Sequence, residues 1–425
     1  MLPDIKSLSR EELEARFAAW NQPAYRVAQL LDWLYARRAA DWNVMSNLPK
    51  TLRESLRAQF TLQTLELVHQ QGSGDTTRKF LWKLADGALI ESVLIPANPA
   101  LYGEASDRHT LCISTQVGCA YGCKFCASGL DGWKRNLGVH EIVEQILAVE
   151  RLVANDQRQL AAKNFPKDSP IDSRNQPRQI LPESGSGFSL SPGESDEERA
   201  GPVNTEVPAA VQADAVATPV SRHASRAVDN LVVMGMGEPL ANYDHLLKAL
   251  KILNAPWGGG IGARKITIST SGLAPQIRRL ASEPLQFRLA ISLHGATDAV
   301  RNRIMPVNKK YPLAELAAAC EDYQRLKGRM LTLEYILIAG VNDSLEQVWP
   351  LAALARKLFA KVNLIPYNHV EDLPWERPSE EVCEAFLAAL EKQKVVATLR
   401  REKGGDIDAA CGQLRLKTER ALAGA

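Results

Sequence analysis

The residues best able to do chemistry in this chain are three cysteines in one short loop, Cys119-Ala-Tyr-Gly-Cys123-Lys-Phe-Cys126. The spacing is C-x3-C-x2-C, with Gly118 and Gly122 allowing the backbone to wrap closely and Phe125 between the last two thiols. A cubane [4Fe–4S] cluster needs four ligands, usually thiolates. Three thiolates in one loop hold three irons and leave the fourth open, as a catalytic zinc site keeps one position free for substrate. The alternative is a structural zinc knuckle with His109 or His140 as fourth ligand. Against it, the spacing lacks the paired C-x2-C halves of common zinc sites.

A loop of this kind needs a scaffold, and the composition permits one. The chain has 425 residues, 45% apolar and 24% charged, enough for one large or two ordinary domains with a real core. It starts Met1-Leu-Pro-Asp-Ile-Lys, without the apolar stretch of an export signal, and no run approaches 18 apolar residues. A cytoplasmic protein is therefore expected, with no membrane span. Seven cysteines in a chain of this size do not make a secreted disulfide scaffold. The net charge of +2 is a weak pointer to nucleic acid. Basic residues do gather near strand ends: Arg264-Lys265, Arg301 with Arg303, Lys309-Lys310, and Arg400-Arg401 with Lys403. Taken singly, each pair reads as ordinary solvated cations.

The pattern along the chain has three parts and an interruption. Ser9-Arg-Glu-Glu12 is a capping box opening an amphipathic helix with Leu13, Phe17 and Trp20. Further helical patterns run through Val27, Leu30, Leu31 and Leu34, then from Leu48-Pro49 through Leu52, Leu56 and Phe60, so residues 1–62 read as a small helical domain. Phe80–Leu84 and Ala88–Ile95 flank Asp86-Gly87 as a β-hairpin. From about residue 108, strands at Thr110–Ser114, Leu231–Met234, Ile266–Ser269, Phe287–Leu293, Leu331–Ile338 and Val362–Ile365 alternate with helical stretches, and Val395–Leu399 closes the series. Six βα units imply an α/β fold with a parallel sheet, open or curled into a partial barrel. Residues 155–227 are rich in Ser, Pro, Asp, Gln and Ala with almost no aromatics, and read as a disordered insertion.

In such a sheet the active site lies at the C-terminal ends of the strands. The cysteine loop follows the first strand, Gly235-Met-Gly237-Glu238-Pro239 the second, Ser269-Thr-Ser271-Gly272 the third, Ser292-Leu293-His294 the fourth and Pro366-Tyr-Asn368 the sixth. Five of six strands thus deliver small or hydrogen-bonding residues to one rim, which describes a ligand site. The pattern is similar to that of radical S-adenosylmethionine (SAM) enzymes, in which the open iron chelates the amino and carboxylate groups of SAM. Glu238 suits the SAM ammonium, Gly235 and Gly237 admit its backbone approach, and Ser269, Ser292 and Asn368 suit ribose hydroxyls and the carboxylate. Two features lie outside this core: Cys411, between small residues in Gly404-Gly-Asp-Ile-Asp-Ala-Ala-Cys411-Gly412, and Glu91, a carboxylate in the apolar strand Leu89-Ile-Glu91-Ser-Val. An isolated cysteine is usually a small buried hydrophobe and an isolated strand glutamate usually faces water.

Jointly the motifs resemble a specific family. Gln116-Val-Gly-Cys119, Phe125-Cys126-Ala-Ser128, Met234-Gly-Met-Gly-Glu-Pro-Leu240, Ile291-Ser-Leu-His294, Asn363-Leu-Ile-Pro366 and Asp406-Ile-Asp-Ala-Ala-Cys411-Gly-Gln are similar to those of the dual-specificity RNA adenine-C2 methyltransferases, the RlmN family of radical SAM enzymes. The resemblance implies a radical SAM partial (β/α)6 barrel with a small helical N-terminal accessory domain for RNA recognition at 1–62. A β-hairpin linker carrying Glu91 would occupy 63–107, the core 108–154 and 228–425, and the disordered insertion 155–227. It implies cluster ligands Cys119, Cys123 and Cys126, and SAM contacts from Gly237, Glu238, Ser269, Ser292, Leu293, His294 and Asn368. It also implies that Cys411 is methylated by one SAM, that a radical from a second SAM takes a hydrogen from that methyl group, that the methylene radical adds to adenine C2, that Glu91 accepts the proton, and that Cys112 attacks the Cys411 sulfur to release RNA with a transient disulfide. The substrates implied are one adenosine of 23S rRNA and the adenosine 3′ of the anticodon in tRNAs, with an electron donor such as flavodoxin or ferredoxin and the chain acting as a monomer. The nearest rival is the sister family that methylates adenine C8. A rival of another class is a zinc-containing RNA-binding protein without catalysis. Cys320 and Cys383 sit in helical patterns and read as core.

Overall fold

The computed structural model describes residues 2–74, 76–97, 109–130, 132–164, 226–400 and 412–423. Cys411 and most of the span read as an insertion lie outside them. Met1–Gln157 with Ala224–Ala425 form one compact unit; of a second, Arg158–His223, only the helical residues 158–164 are described.

The N-terminal segment folds as its periodicity requires. Helix α1 (Arg10–Ala19) opens on the capping box, Ser9 and Glu12 each accepting the other's backbone N–H. With α2 (Tyr25–Leu31) and α3 (Lys50–Gln59) it buries Leu13, Phe17, Val27, Leu30, Leu31, Leu52 and Leu56. The ends of the segment are tied together, the Ile5 N–H donating to the Thr61 carbonyl and the Thr61 N–H to that of Pro3, both at 3.0 Å.

A ten-stranded sheet follows. Strands β1 (Glu66–Gly72), β2 (Arg78–Lys83) and β3 (Leu89–Pro96) are antiparallel, and β3 pairs antiparallel with β4 (His109–Cys112). From β4 the sheet is parallel through β7 (Asn230–Val233), β8 (Ile266–Thr270), β9 (Arg288–Ser292), β10 (Leu331–Leu337), β11 (Ala360–Pro366) and β12 (Ala397–Leu399), in sequence order. A separate two-stranded hairpin, β5 (Gln116–Gly118) with β6 (Trp133–Asn136), brackets the cysteine loop. Helices α4 (Val139–Asn164), α5 (Tyr243–Asn254), α6 (Ala274–Ser282), α7 (Asp298–Ile304), α8 (Leu313–Lys327), α9 (Val348–Lys357) and α10 (Glu380–Lys392) connect the parallel strands, and α11 (Gln413–Ala423) ends the chain. The fold is thus the expected parallel βα array, with each expected strand in place and the three-strand antiparallel extension carrying Glu91.

Several elements differ from expectation, the β5–β6 hairpin and α11 among them as unforeseen additions. Helix α4 runs on to Asn164, into the span read as insertion. Strand β1 has no counterpart in the sequence reading; all but one of its residues are exposed, so Glu66-Leu-Val-His-Gln-Gln carries no alternation to reveal it.

Candidate active site

The cysteine loop is held by backbone at both ends and in the middle. The Cys119 N–H donates to the Gly132 carbonyl at 3.1 Å, closing the loop at the β5–β6 hairpin. Midway, the Lys124 N–H donates to the Ile304 carbonyl at the end of α7, and the Lys124 carbonyl accepts from Trp375 Nε1 at 2.8 Å. Gln116 links this loop to the next. Its Oε1 accepts from the N–H of Ala120 and from that of Glu238, and its Nε2 donates to Asn136. The three thiols line a cavity of about 280 Å³ together with Gly235, Gly237, Glu238, Ser269, Thr270, Ser271, Ser292, His294, Glu334 and Arg400. Of the seven residues expected around SAM, the rim brings five together: Gly237, Glu238, Ser269, Ser292 and His294. Leu293 is buried in the core, and Asn368 lies beyond the lining, its Oδ1 accepting from Arg377 at 3.5 Å.

Burial sets the electrostatics of this cavity. It pushes the Cys119 thiol up to about 12 and Cys123 well above the ordinary thiol range, the neighbouring Cys126 adding to both. Thiolates become favourable here only beside a cation, which is what iron in a cluster supplies. Glu238 is also buried, and desolvation raises it against donors from the Ser271 N–H (2.7 Å), the Thr270 hydroxyl (2.8 Å) and the Leu240 N–H (3.0 Å). An ionised carboxylate offers about four acceptor positions, so one is left for a ligand ammonium. Gly237 has φ +98°, and a Cβ there would lie 2.5 Å from that of Gln116, so only glycine fits the cradle beside Glu238. The Ser269 and Ser292 hydroxyls, 3.1 Å apart, present a polar pair from adjacent strands. His294 Nδ1 accepts the Ile336 N–H at 3.1 Å, which leaves the ring proton on Nε2. Burial pushes its pKa down to about 3, so the ring is neutral. Three thiols, one free carboxylate position, a glycine cradle and a hydroxyl pair together fit a three-thiolate cluster with SAM.

The zinc alternative loses its fourth ligand. His140 opens α4 with its ring nitrogens against Ser7 and Gln63, and His109 begins β4; neither lines the cavity.

A second constellation lies on the antiparallel extension. Glu91 is buried, its Oε2 2.9 Å from Lys79 Nζ. The same carboxylate accepts the N–H groups of Gly412 and Arg415, each at 2.7 Å, and so caps α11. Cys112 pairs with Val93 across β3–β4, and Glu91 lies two residues from Val93, so the two side chains share one face. Leu414 packs against Leu81 and Leu89 on that face. A Cβ on Gly412 would lie 2.7 Å from Ser128 Oγ, so the residue after Cys411 sits between Glu91 and the end of the cysteine loop.

Sequence reasoning missed Glu334, Arg301 and Lys79. Glu334 lines the cavity from β10, raised by burial and accepting from Asn363 Nδ2 at 2.7 Å. A carboxylate inside the apolar run Leu331-Thr-Leu-Glu-Tyr-Ile-Leu337 was the available signal. Arg301, read as a solvated cation, is wholly buried.

Comparison with known proteins agrees with this geometry. Residues 3–62 match the model of the ribosomal RNA large subunit methyltransferase N-terminal domain, and residues 210–351 that of the radical SAM superfamily, a span that begins after the cysteine loop. A probable dual-specificity RNA methyltransferase RlmN of Opitutus terrae is 49% identical over 98% of this chain and 96% of that protein. This chain belongs to the RlmN family. A second such relative, from Akkermansia muciniphila, is 44% identical over 100% of this chain and 98% of its own length. Among solved structures, a radical SAM methyltransferase from Sphaerobacter thermophilus superposes with a TM-score of 0.76 at 37% identity, covering 97% of this chain and 98% of that one. RlmN membership makes the chain a radical SAM RNA methyltransferase, and radical SAM chemistry implies SAM and a [4Fe–4S] cluster. No helix among the described residues is long and apolar enough to cross a membrane.

Proposed function

We propose that this chain methylates C2 of one adenosine in 23S rRNA and of the adenosine 3′ of the anticodon in tRNAs, in the cytoplasm, as a monomer supplied by an electron donor such as flavodoxin or ferredoxin. Cys119, Cys123 and Cys126 would hold the cluster, and Gly237, Glu238, Ser269, Ser292 and His294 would surround SAM. Bound there, cluster and SAM would supply a 5′-deoxyadenosyl radical. That chemistry suits a carbon such as adenine C2, which is neither acidic nor nucleophilic. The target base would have to be flipped out to reach a site this buried, and residues 1–62 would hold the RNA by backbone and shape.

The chain's own residues divide the work. Cys411 carries the methyl group to be transferred and becomes joined to C2 through it. Glu91 takes the proton leaving C2, and the one electron left on the adduct would return to the cluster held by Cys119, Cys123 and Cys126. The Cys112 thiolate then attacks the Cys411 sulfur; the S–S bond forms as the S–C bond breaks, and the carbon keeps the electron pair and is protonated. The observation carrying this reading is the position of Gly412. Its N–H is on Glu91 and a Cβ on it would meet Ser128 Oγ at 2.7 Å, with Cys112 on the same sheet face as Glu91.

Two variants test it. Cys411→Ala should abolish RNA methylation while SAM still binds. Cys112→Ala should accumulate protein covalently joined to RNA, seen as a nuclease-sensitive shift on a denaturing gel. Normal turnover by Cys112→Ala, or an adduct in the double variant, would contradict the two-cysteine reading.

A further inference from the structure

Arg301 on α7 is 0% exposed and makes no ion pair among the described residues. Its guanidinium donates instead to neutral groups: Nε to Asn308 Oδ1 at 2.8 Å, Nη1 to the carbonyls of Ser292 (3.1 Å) and Leu293 and to Met305 Sδ (3.4 Å), and Nη2 to the Ser271 carbonyl. It therefore clasps the ends of β8 and β9 beneath the cavity. A buried charge without an anionic partner is strongly unfavourable, so a counter-ion is called for.

The anions around it are few. Asp298 is reached only through the Asn308 amide, which donates to it at 2.8 Å. Glu238 accepts the three donors already described, and none of its hydrogen bonds comes from Arg301. Burial pushes the Cys320 thiol up to about 12, so it stays protonated. Cys123 remains; it lines the cavity together with Met305, whose Sδ the Arg301 guanidinium reaches at 3.4 Å. The loop bearing Cys123 docks on the same helix, through Lys124 N–H on the Ile304 carbonyl at 2.9 Å. Three thiolates outweigh the positive core of a [4Fe–4S] cluster, and reduction adds one more negative charge. Buried charge nearby is one of the means by which a protein sets such a potential.

We propose that Arg301 is the buried counter-ion of the cluster, a positioning residue that favours its reduced state while fixing the strand ends around SAM. This rests on the reading that Cys119, Cys123 and Cys126 hold a cluster. The test is an EPR-monitored redox titration of the full chain, reconstituted with iron and sulfide without oxygen, comparing wild type with Arg301→Gln, Arg301→Lys and Asn308→Asp. For Arg301→Gln the reduced-to-oxidised ratio at the wild-type midpoint should fall about tenfold, a negative shift of about 59 mV for a one-electron couple. Arg301→Lys should stay near wild type. Asn308→Asp, which keeps the guanidinium but sets a carboxylate against it, should shift in the same direction as Arg301→Gln. A loaded Arg301→Gln protein with an unshifted midpoint overturns the inference alone. If that variant fails to take up iron, an unshifted Asn308→Asp protein overturns it instead. Wild-type protein that takes up no iron ends the cluster reading, and this inference with it.

Discussion

His294 carries a histidine's chemistry in one protonation state only. Its folded pKa of about 3 lies below the 6.5 of an exposed ring, so the unfolded chain binds the proton first as pH falls. The resulting stability is complete above pH 6.5 and drains away as pH falls toward 3. At pH 5 the loss from this group is roughly 2 kcal/mol. His294→Gln, which can still accept the Ile336 N–H, should lose correspondingly less between pH 7.5 and pH 5 in denaturant unfolding; equal losses would exclude the effect. Gly237→Ala meets both a positive φ and the Gln116 side chain, so about 1–3 kcal/mol of destabilisation is expected. Its SAM binding by calorimetry should fall in parallel. Lys79→Met leaves Glu91 buried without its cation and should cost about 3 kcal/mol or more, read from the urea midpoint.

Among elements, α11 depends on a distant strand. Glu91 of β3 caps its first turn, so Glu91→Ala should lower methylation of Cys411 itself, measured on the protein without RNA, as well as proton removal from RNA. Intact Cys411 methylation in that variant would show that the cap does not position the loop. The dependence was not legible in the sequence, because Glu91 and Gly412 are joined by the fold and not by spacing. The rim was legible: βα alternation fixes where strands end, and the polar residues after five strands had to meet there. Asn368 shows the limit of that rule, since the turn after β11 carries it beyond the lining. Arg301 shows another, because a cation adjoining a strand end reads alike whether it faces water or clasps carbonyls. The cysteine loop was legible through its spacing alone, while the short β5–β6 hairpin that closes it has no period to detect.

At the scale of the whole molecule, residues 165–225 lie outside the described residues, and their composition offers little apolar surface to bury. Helix α4 ends at Asn164 and the chain resumes where Glu150 accepts the N–H groups of Ala227 and Val228. Deleting 168–222 should change stability by no more than about 2 kcal/mol, since each doubling of loop length costs only about 0.6 kcal/mol. It should also leave methylation in vitro nearly unchanged. A large loss of either would assign the segment a packing or RNA-binding role. The carbon that receives the methyl group separates C2 from C8 chemistry. The full chain, reconstituted with its cluster and given SAM, a reductant and a 23S rRNA fragment, should yield 2-methyladenosine in mass spectrometry of the digested RNA. The appearance of 8-methyladenosine instead, or of unmodified adenosine alone from cluster-loaded protein, would contradict it.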